Sequence, residues 1–267
     1  MPPGRGGPPR CLDPAARVWL VAQLGRQPDA TLAESRDTLT AETGQRVSVG
    51  TVWRVLDEQG LRRKKSLHAA ERTTERVHEL RRHYVEQVAA RRDVHRFFFL
   101  DEPGLRLDYT RRSGRAPGAQ RVRQGVPLQR GRALTLIGVL SVGGLRAVQL
   151  LAGALTQRSF AFYVAHCLAP QLRRGDVLVL DNLPVHHLDG LEAELAKRGV
   201  EVLFLPPYSP DFSPIEHAWS KLKTTLRRDQ ARTPEALEQA LKTALDGITG
   251  DDAKAWFNHG GYHVHQS

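Results

Sequence analysis

Cysteine is scarce in this 267-residue chain: only Cys11 and Cys167 occur, far apart and without C-x-x-C spacing. That excludes a disulfide framework and a zinc ribbon, and makes a reducing cytoplasm the expected compartment. Long apolar runs are missing as well. None approaches the roughly 20 residues that a bilayer-spanning helix needs. The opening MPPGRGGPPR lacks the apolar core of a signal peptide, so residues 1–10 read as a flexible basic arm. Acidic residues are in short supply: 29 Asp and Glu stand against 39 Lys and Arg, a formal charge of +10. Such a surplus suits a polyanionic partner, because neutralised phosphates release condensed counterions. Solvated faces of an arginine-rich chain are the bland alternative. At this length one full core and a small second domain can be buried.

Three short helices are predicted in residues 11–66. Asp13-Pro14 pairs an N-cap acceptor with proline at the first helical position, and Gln27-Pro28-Asp29 breaks that helix. Thr31 and Glu34 have capping-box spacing, and Gly44 ends the second helix. Ser48 caps a third, on which Val52, Val55 and Leu56 form an apolar stripe. This is helix-turn-helix grammar, with Gly50, Thr51, Trp53 and Arg54 off the stripe and available to a major groove. A plain three-helix bundle whose Trp53 completes the core is the alternative. The basic run Arg62, Arg63, Lys64 and Lys65 follows and favours DNA. Residues 67–94 read as a helical connector, one long helix with a seam of Val77, Leu80, Tyr84 and Val88.

From His95 the pattern changes to strands alternating with helices, defining a domain over residues 95–250 with a tail at 251–267. Apolar runs Phe97 to Leu100 and Val177 to Leu180 end in Asp101 and Asp181. Gly143-Gly144 marks a hairpin between two further strands. A short strand, Val202 to Leu205, leads to a helix from Pro214 to Arg228 with Glu216 in its first turn. The order suits a mixed sheet with helices on both faces, the Asp101 and Asp181 strands lying parallel side by side. Three carboxylates so placed can hold two divalent cations about 3.5–4 Å apart, the spacing that clamps both oxygens of a phosphodiester displacement. Hard oxygen donors without paired His or Cys favour Mg²⁺ or Mn²⁺ over zinc. Taken singly, each carboxylate is explained as well by a cap or a surface ion pair. Glu102, next to Asp101, should point to the opposite face. Asn182 orients a phosphate or a metal-bound water, or caps a turn. His186 and His187 start a helix near the site and contact phosphate or a metal-bound water rather than the metal. Lys221 and Lys223 suit a DNA backbone track. His259, His263 and His265 mimic a metal site but fit a folded tail better.

At these residues the chain resembles the DDE-type transposases, specifically the bacterial insertion-sequence branch of the mariner superfamily. The segments that carry the resemblance are FFLDEPG, TRRSGRAPG, LTLIGVLS, LVLDNLPVHH, LFLPPYSPDFSPIEHAWSKLK and WFNHGGY, within residues 95–262. RVSVGTVWRVLDEQGLRRKKSL extends it into the helix-turn-helix, and 34 residues separate Asp181 from Glu216, the interval of this branch. Two positions depart from the pattern: Pro103 replaces the Thr or Ser of D-E-T-G, and Ser213 replaces the Asn of N-P-I-E. The resemblance implies a ribonuclease H-like catalytic domain behind a small all-α helix-turn-helix domain. It implies cleavage and strand transfer at transposon ends, with Asp101 bridging two Mg²⁺ (or Mn²⁺) ions, Asp181 on one and Glu216 on the other. Implied partners are double-stranded DNA (transposon ends and a TA target) and a second copy of the chain on that DNA, which makes the nucleoid the expected place of work. Relatives carry an earlier helix-turn-helix for which there is no room here, so a truncated copy or a separately encoded module is expected. A ribonuclease H-like nuclease without strand transfer and a non-cutting repressor are the rival functions.

Overall fold

The computed structural model describes residues 12–62, 70–89, 93–114, 116–117, 121–127 and 134–264. The chain divides into two compact units, Met1–His68 and Ala69–Ser267.

In the first unit, three helices form where their caps demand. The Asp13 carboxylate accepts from the Ala16 amide at 2.7 Å and opens α1 (Pro14–Arg26). At α2 (Leu32–Thr43) the Thr31 hydroxyl accepts from the Glu34 amide at 3.2 Å while the Glu34 carboxylate accepts from the Thr31 amide at 2.6 Å. Gly44 closes α2 in the left-handed region, at φ 71°. Ser48 caps α3 (Val49–Glu58) through the Thr51 amide. Leu12, Ala16, Leu20, Leu39, Val52, Val55 and Leu56 make the core of this unit. Trp53 is not among them; it is 53% exposed, which removes the alternative that it completes a bundle core. Of the basic run, Arg62 is exposed, and Arg63, Lys64 and Lys65 lie outside the described residues.

The second unit begins with the connector, which is not one continuous helix. A 3₁₀ turn (Ala70–Thr73) precedes α4 (Glu75–His83), and the backbone widens into a π turn over Tyr84–Ala89. Val77 and Tyr84 are buried, whereas Leu80 is 39% exposed and leaves the expected seam. Tyr84 faces inward at the start of the π turn, its hydroxyl 2.8 Å from that of Tyr262.

A six-stranded sheet follows, with β1 (Phe97–Asp101), β2 (Gly104–Leu105), β3 (Leu134–Ser141), β4 (Gly144–Ala152), β5 (Val177–Leu180) and β6 (Glu201–Phe204). β3 pairs antiparallel with β1 and β4; β1 pairs parallel with β5, and β5 with β6. β2 continues the line of β1 along β3 in the same register. The hairpin turn is Val142-Gly143, with Gly144 already paired to Ser141 at the start of β4.

Strand alternation sorts the core into two layers. Phe97, Phe99, Val177 and Val179 face α7 (Ile215–Asp229), α8 (Pro234–Asp246) and α9 (Gly250–His259). Phe98, Leu100, Leu178 and Leu180 face α5 (Gln157–Tyr163) and α6 (Leu191–Lys197). The segment read as a tail is structural: Ala253, Phe257 and Tyr262 are buried against the sheet. Gly138 pairs with Asp101, and a Cβ there would lie 3.5 Å from the Trp219 ring and 3.1 Å from Val148. The contact to Trp219 of α7 is an ordinary one, whereas Val148 of β4 would have to give way to a side chain at Gly138.

Candidate active site

The carboxylates arrive at one place by two different routes. Phe97 and Phe99 pair with Val177 and Val179, so the same parallel register carried forward sets Asp101 beside Asp181. Neighbouring strands lie about 4.8 Å apart. By alternation both side chains fall on the layer that α7 covers. On α7, Ile215, Ala218, Trp219, Leu222 and Leu226 are the buried stripe, and Glu216 lies off it in the first turn. Helix amides near that end favour a negative charge there. Asp101, Asp181 and Glu216 line one cleft of about 370 Å³, together with Asn182, Pro206 and the Pro207-Tyr208 turn.

Burial weighs most on the three carboxyls, and their neighbours then set them apart. Burial, then the neighbouring charge of Glu216, push the Asp101 carboxyl up to about 7, although the Glu102 amide donates to its Oδ1 at 2.8 Å. Burial also raises Glu216, with Lys223 pulling the other way. For Asp181 burial pushes upward, but hydrogen bonds from His186 and from the Leu183 amide outweigh it and hold the group below its ordinary range. Among the described residues no group of three or more His, Cys, Asp or Glu closes on one point as a pre-formed metal cage would. The donor set nevertheless fits Mg²⁺ or Mn²⁺. Magnesium keeps several waters and takes one or two carboxylates plus substrate phosphate oxygens, which an open carboxylate cleft allows and a closed cage does not.

The two histidines part company. His186 lies in a 3₁₀ turn (Pro184–His186) and α6 starts only at Leu191, so they do not begin that helix. His186 is fully buried, its Nδ1 2.7 Å from Asp181 Oδ1 and its Nε2 3.1 Å from Glu102 Oε2. Burial would lower this imidazole; the hydrogen bonds to Asp181 and Glu102 prevail and raise it to about 10. His187 is exposed and stacks on Phe204 at 4.5 Å. Asn182 donates its side-chain N–H to the Leu205 carbonyl, tying the ends of β5 and β6. Glu102 does take the opposite face, as alternation requires, yet it meets His186 there. Its involvement escaped the sequence: the only signal was an acid following a buried strand.

Outside the cleft, Lys221 pairs with Asp252 of α9 at 2.6 Å, which ties it to the fold. Lys223 is half-buried and close enough for its charge to act on Glu216. His259 packs against His217 with ring centroids 4.7 Å apart, His263 is exposed, and His265 lies outside the described residues. In the first unit Gly50, Trp53 and Arg54 are exposed and Thr51 half-buried, all on the side of α3 away from its core.

Comparison with known proteins places this geometry. The family model for the DDE superfamily endonuclease matches residues 96–238. The transposable element Tc1 transposase of Caenorhabditis elegans is 29% identical over 109 residues, 40% of this chain and 40% of that protein. The match therefore spans less than half of that curated relative. Among solved structures, the Mos1 transposase paired-end complex with the left transposon end superposes with a TM-score of 0.66 at 19% identity, covering 99% of this chain and 83% of that one. The mariner Mos1 paired-end complex with Mg gives 0.66 at 18% identity, over 100% and 83%. The Mos1 strand transfer complex gives 0.64 at 19%, again over 100% and 83%. At such identities the likeness speaks to the fold, and the sheet is the ribonuclease H-like one. Since the family model covers over half of the chain and contains all three carboxylates, the chain belongs to the DDE superfamily endonucleases.

Proposed function

We propose that this chain is a transposase that cuts DNA at the ends of a mobile element and joins the freed ends to a target. The observation that carries the proposal is the convergence of Asp101, Asp181 and Glu216, from two strand ends and a helix start, on one open cleft. Asp101 would be shared by two Mg²⁺ or Mn²⁺ ions, with Asp181 completing one site and Glu216 the other. Bound there, such ions lower the barrier at a phosphodiester by activating the attacking oxygen and stabilising the leaving one.

The chain's own residues prepare that site. The Glu102 amide and the Leu183 amide hold one oxygen of Asp101 and of Asp181 respectively, at 2.8 and 3.0 Å. The Asn182 contact to Leu205 keeps the cleft floor and the proline turn together. Lys223 offsets the charge of Glu216 and would contact the DNA backbone. In the first unit, Gly50, Thr51, Trp53 and Arg54 would enter a major groove, with Arg62 to Lys65 on the backbone. The relatives named above support transposon ends as the DNA. A second copy of the chain on paired ends and a TA target belong to the same proposal.

The test is a plasmid carrying the gene with its flanking sequence, incubated with the full chain in Mg²⁺, Mn²⁺ or chelator. Cation-dependent breaks at the element's ends together with joined products are expected. Breaks without joined products would support a nuclease that lacks strand transfer; binding without breaks in either cation would support a repressor.

A further inference from the structure

Glu102 and His186 lie behind the cleft. The Glu102 side chain is 8% exposed and that of His186 0%. A carboxylate so far removed from water is costly unless it is paired and hydrogen-bonded. Its partner is His186 Nε2 at 3.1 Å, and the other face of that ring reaches Asp181. Phe160 packs on the ring, centroids 4.9 Å apart, which fixes its plane. Asp181 Oδ1 is then fully engaged, by His186 Nδ1 at 2.7 Å and the Leu183 amide at 3.0 Å. Its other oxygen is left for the cleft, and the carboxylate cannot turn without breaking both hydrogen bonds.

Were Asp181 the only acid on His186, the ring would compete with a cation for the same carboxylate. A second acid on the far nitrogen shares the ring's donation and leaves Asp181 more of its charge. We propose that Glu102 is a positioning residue: acting through His186, it locks the Asp181 carboxylate with Oδ1 held by the protein and Oδ2 presented to a divalent cation. The inference rests on Asp181 being a cation ligand. Partners that orient a metal ligand typically contribute about 10- to 100-fold in affinity.

Mn²⁺ binding to the full chain, measured by calorimetry, tests this on the wild type, Asp181→Asn, Glu102→Ala and Glu102→Gln, with thermal unfolding in chelator alongside. Asp181→Asn is expected to bind weakest. Glu102→Ala should lose about 10- to 100-fold, and Glu102→Gln, whose carbonyl still accepts from Nε2, should recover most of that. A general packing role would lower the unfolding temperature without this ordered loss and recovery. Wild-type affinity in Glu102→Ala, with Asp181→Asn impaired, would overturn the inference and leave the ligand assignment standing. Wild-type affinity in Asp181→Asn would remove the ligand assignment and the inference together. Should Glu102→Ala not fold, nitrogen NMR of the His186 ring in the wild type decides. A shift on Mg²⁺ addition that is absent in Asp181→Asn is expected, and an unresponsive ring would overturn the proposal.

Discussion

Trp219 and Trp53 show how differently two residues of one type serve this chain. Trp219 is 1% exposed and packs at Gly138, opposite Asp101, while three positions earlier the same helix carries Glu216. Truncation to alanine should cost about 3–5 kcal/mol and loosen Glu216 with it, read as a lower unfolding midpoint and impaired cleavage. Trp53 is 53% exposed. Its alanine variant should stay within about 0.5 kcal/mol of wild-type stability while binding DNA more weakly; unchanged DNA affinity would remove it from the interface. Both placements follow from helical spacing that the sequence displays openly. Asp101 and Asp181 were legible for a similar reason, since each ends an apolar run. Glu102 was only half legible. Alternation placed it on the far face, but nothing local announced that a histidine 84 positions later would meet it there.

Among the elements, the connector is tied to the loop that launches α7. Asp211 accepts from Arg81 at 2.7 and 3.1 Å and from Arg72 at 3.0 Å, and Arg81 also donates to Ser209 Oγ at 2.6 Å. The Arg81 guanidinium lies 4.1 Å over the Phe212 ring, against which Tyr84 stacks at 5.5 Å. Tyr262 completes the cluster, donating to the Phe212 carbonyl at 2.7 Å. Burial would raise Asp211, yet the hydrogen bonds and charges of Arg81 and Arg72 hold it below its ordinary range. A depressed folded-state value means a stabilising contribution that is complete above the unfolded value of about 3.9 and lost as pH falls through the folded one. Asp211→Asn should therefore be less stable than wild type at neutral pH, by about 1 kcal/mol or less for so exposed a pair. The gap should close in acid; one that persists at pH 2 would mean the charge is not what matters. The sequence carries no sign of this cluster, because pairs 130 positions apart leave no local trace and the π turn at Tyr84–Ala89 breaks the expected helical spacing.

For the molecule as a whole, the element order already implied a mixed sheet, and the parallel β1–β5 pair that joins the two aspartates is present. The carboxyl-terminal helices were less apparent, although Thr233-Pro234 and the stripe Leu237, Ala240, Leu241 and Ala244 carry ordinary helix signals. Their burial depends on the sheet, so residues 251–267, which hold nearly all of α9, read as a tail until the sheet is in place. The net charge of +10 acts at this scale too. Duplex binding should weaken steeply with salt, and neutralising Arg62, Arg63, Lys64 and Lys65 should flatten the log–log slope by about 0.9 for each phosphate that is no longer neutralised. An unchanged slope would take those residues off the backbone. The most direct test of the proposed shared cation site is Mg²⁺-dependent nicking by Asp101→Asn, Asp181→Asn, Glu216→Gln and the triple variant, each checked for folding and DNA affinity. A unit that works only when complete predicts that every single variant falls to the same floor as the triple. Wild-type cutting by any one of the three would contradict it.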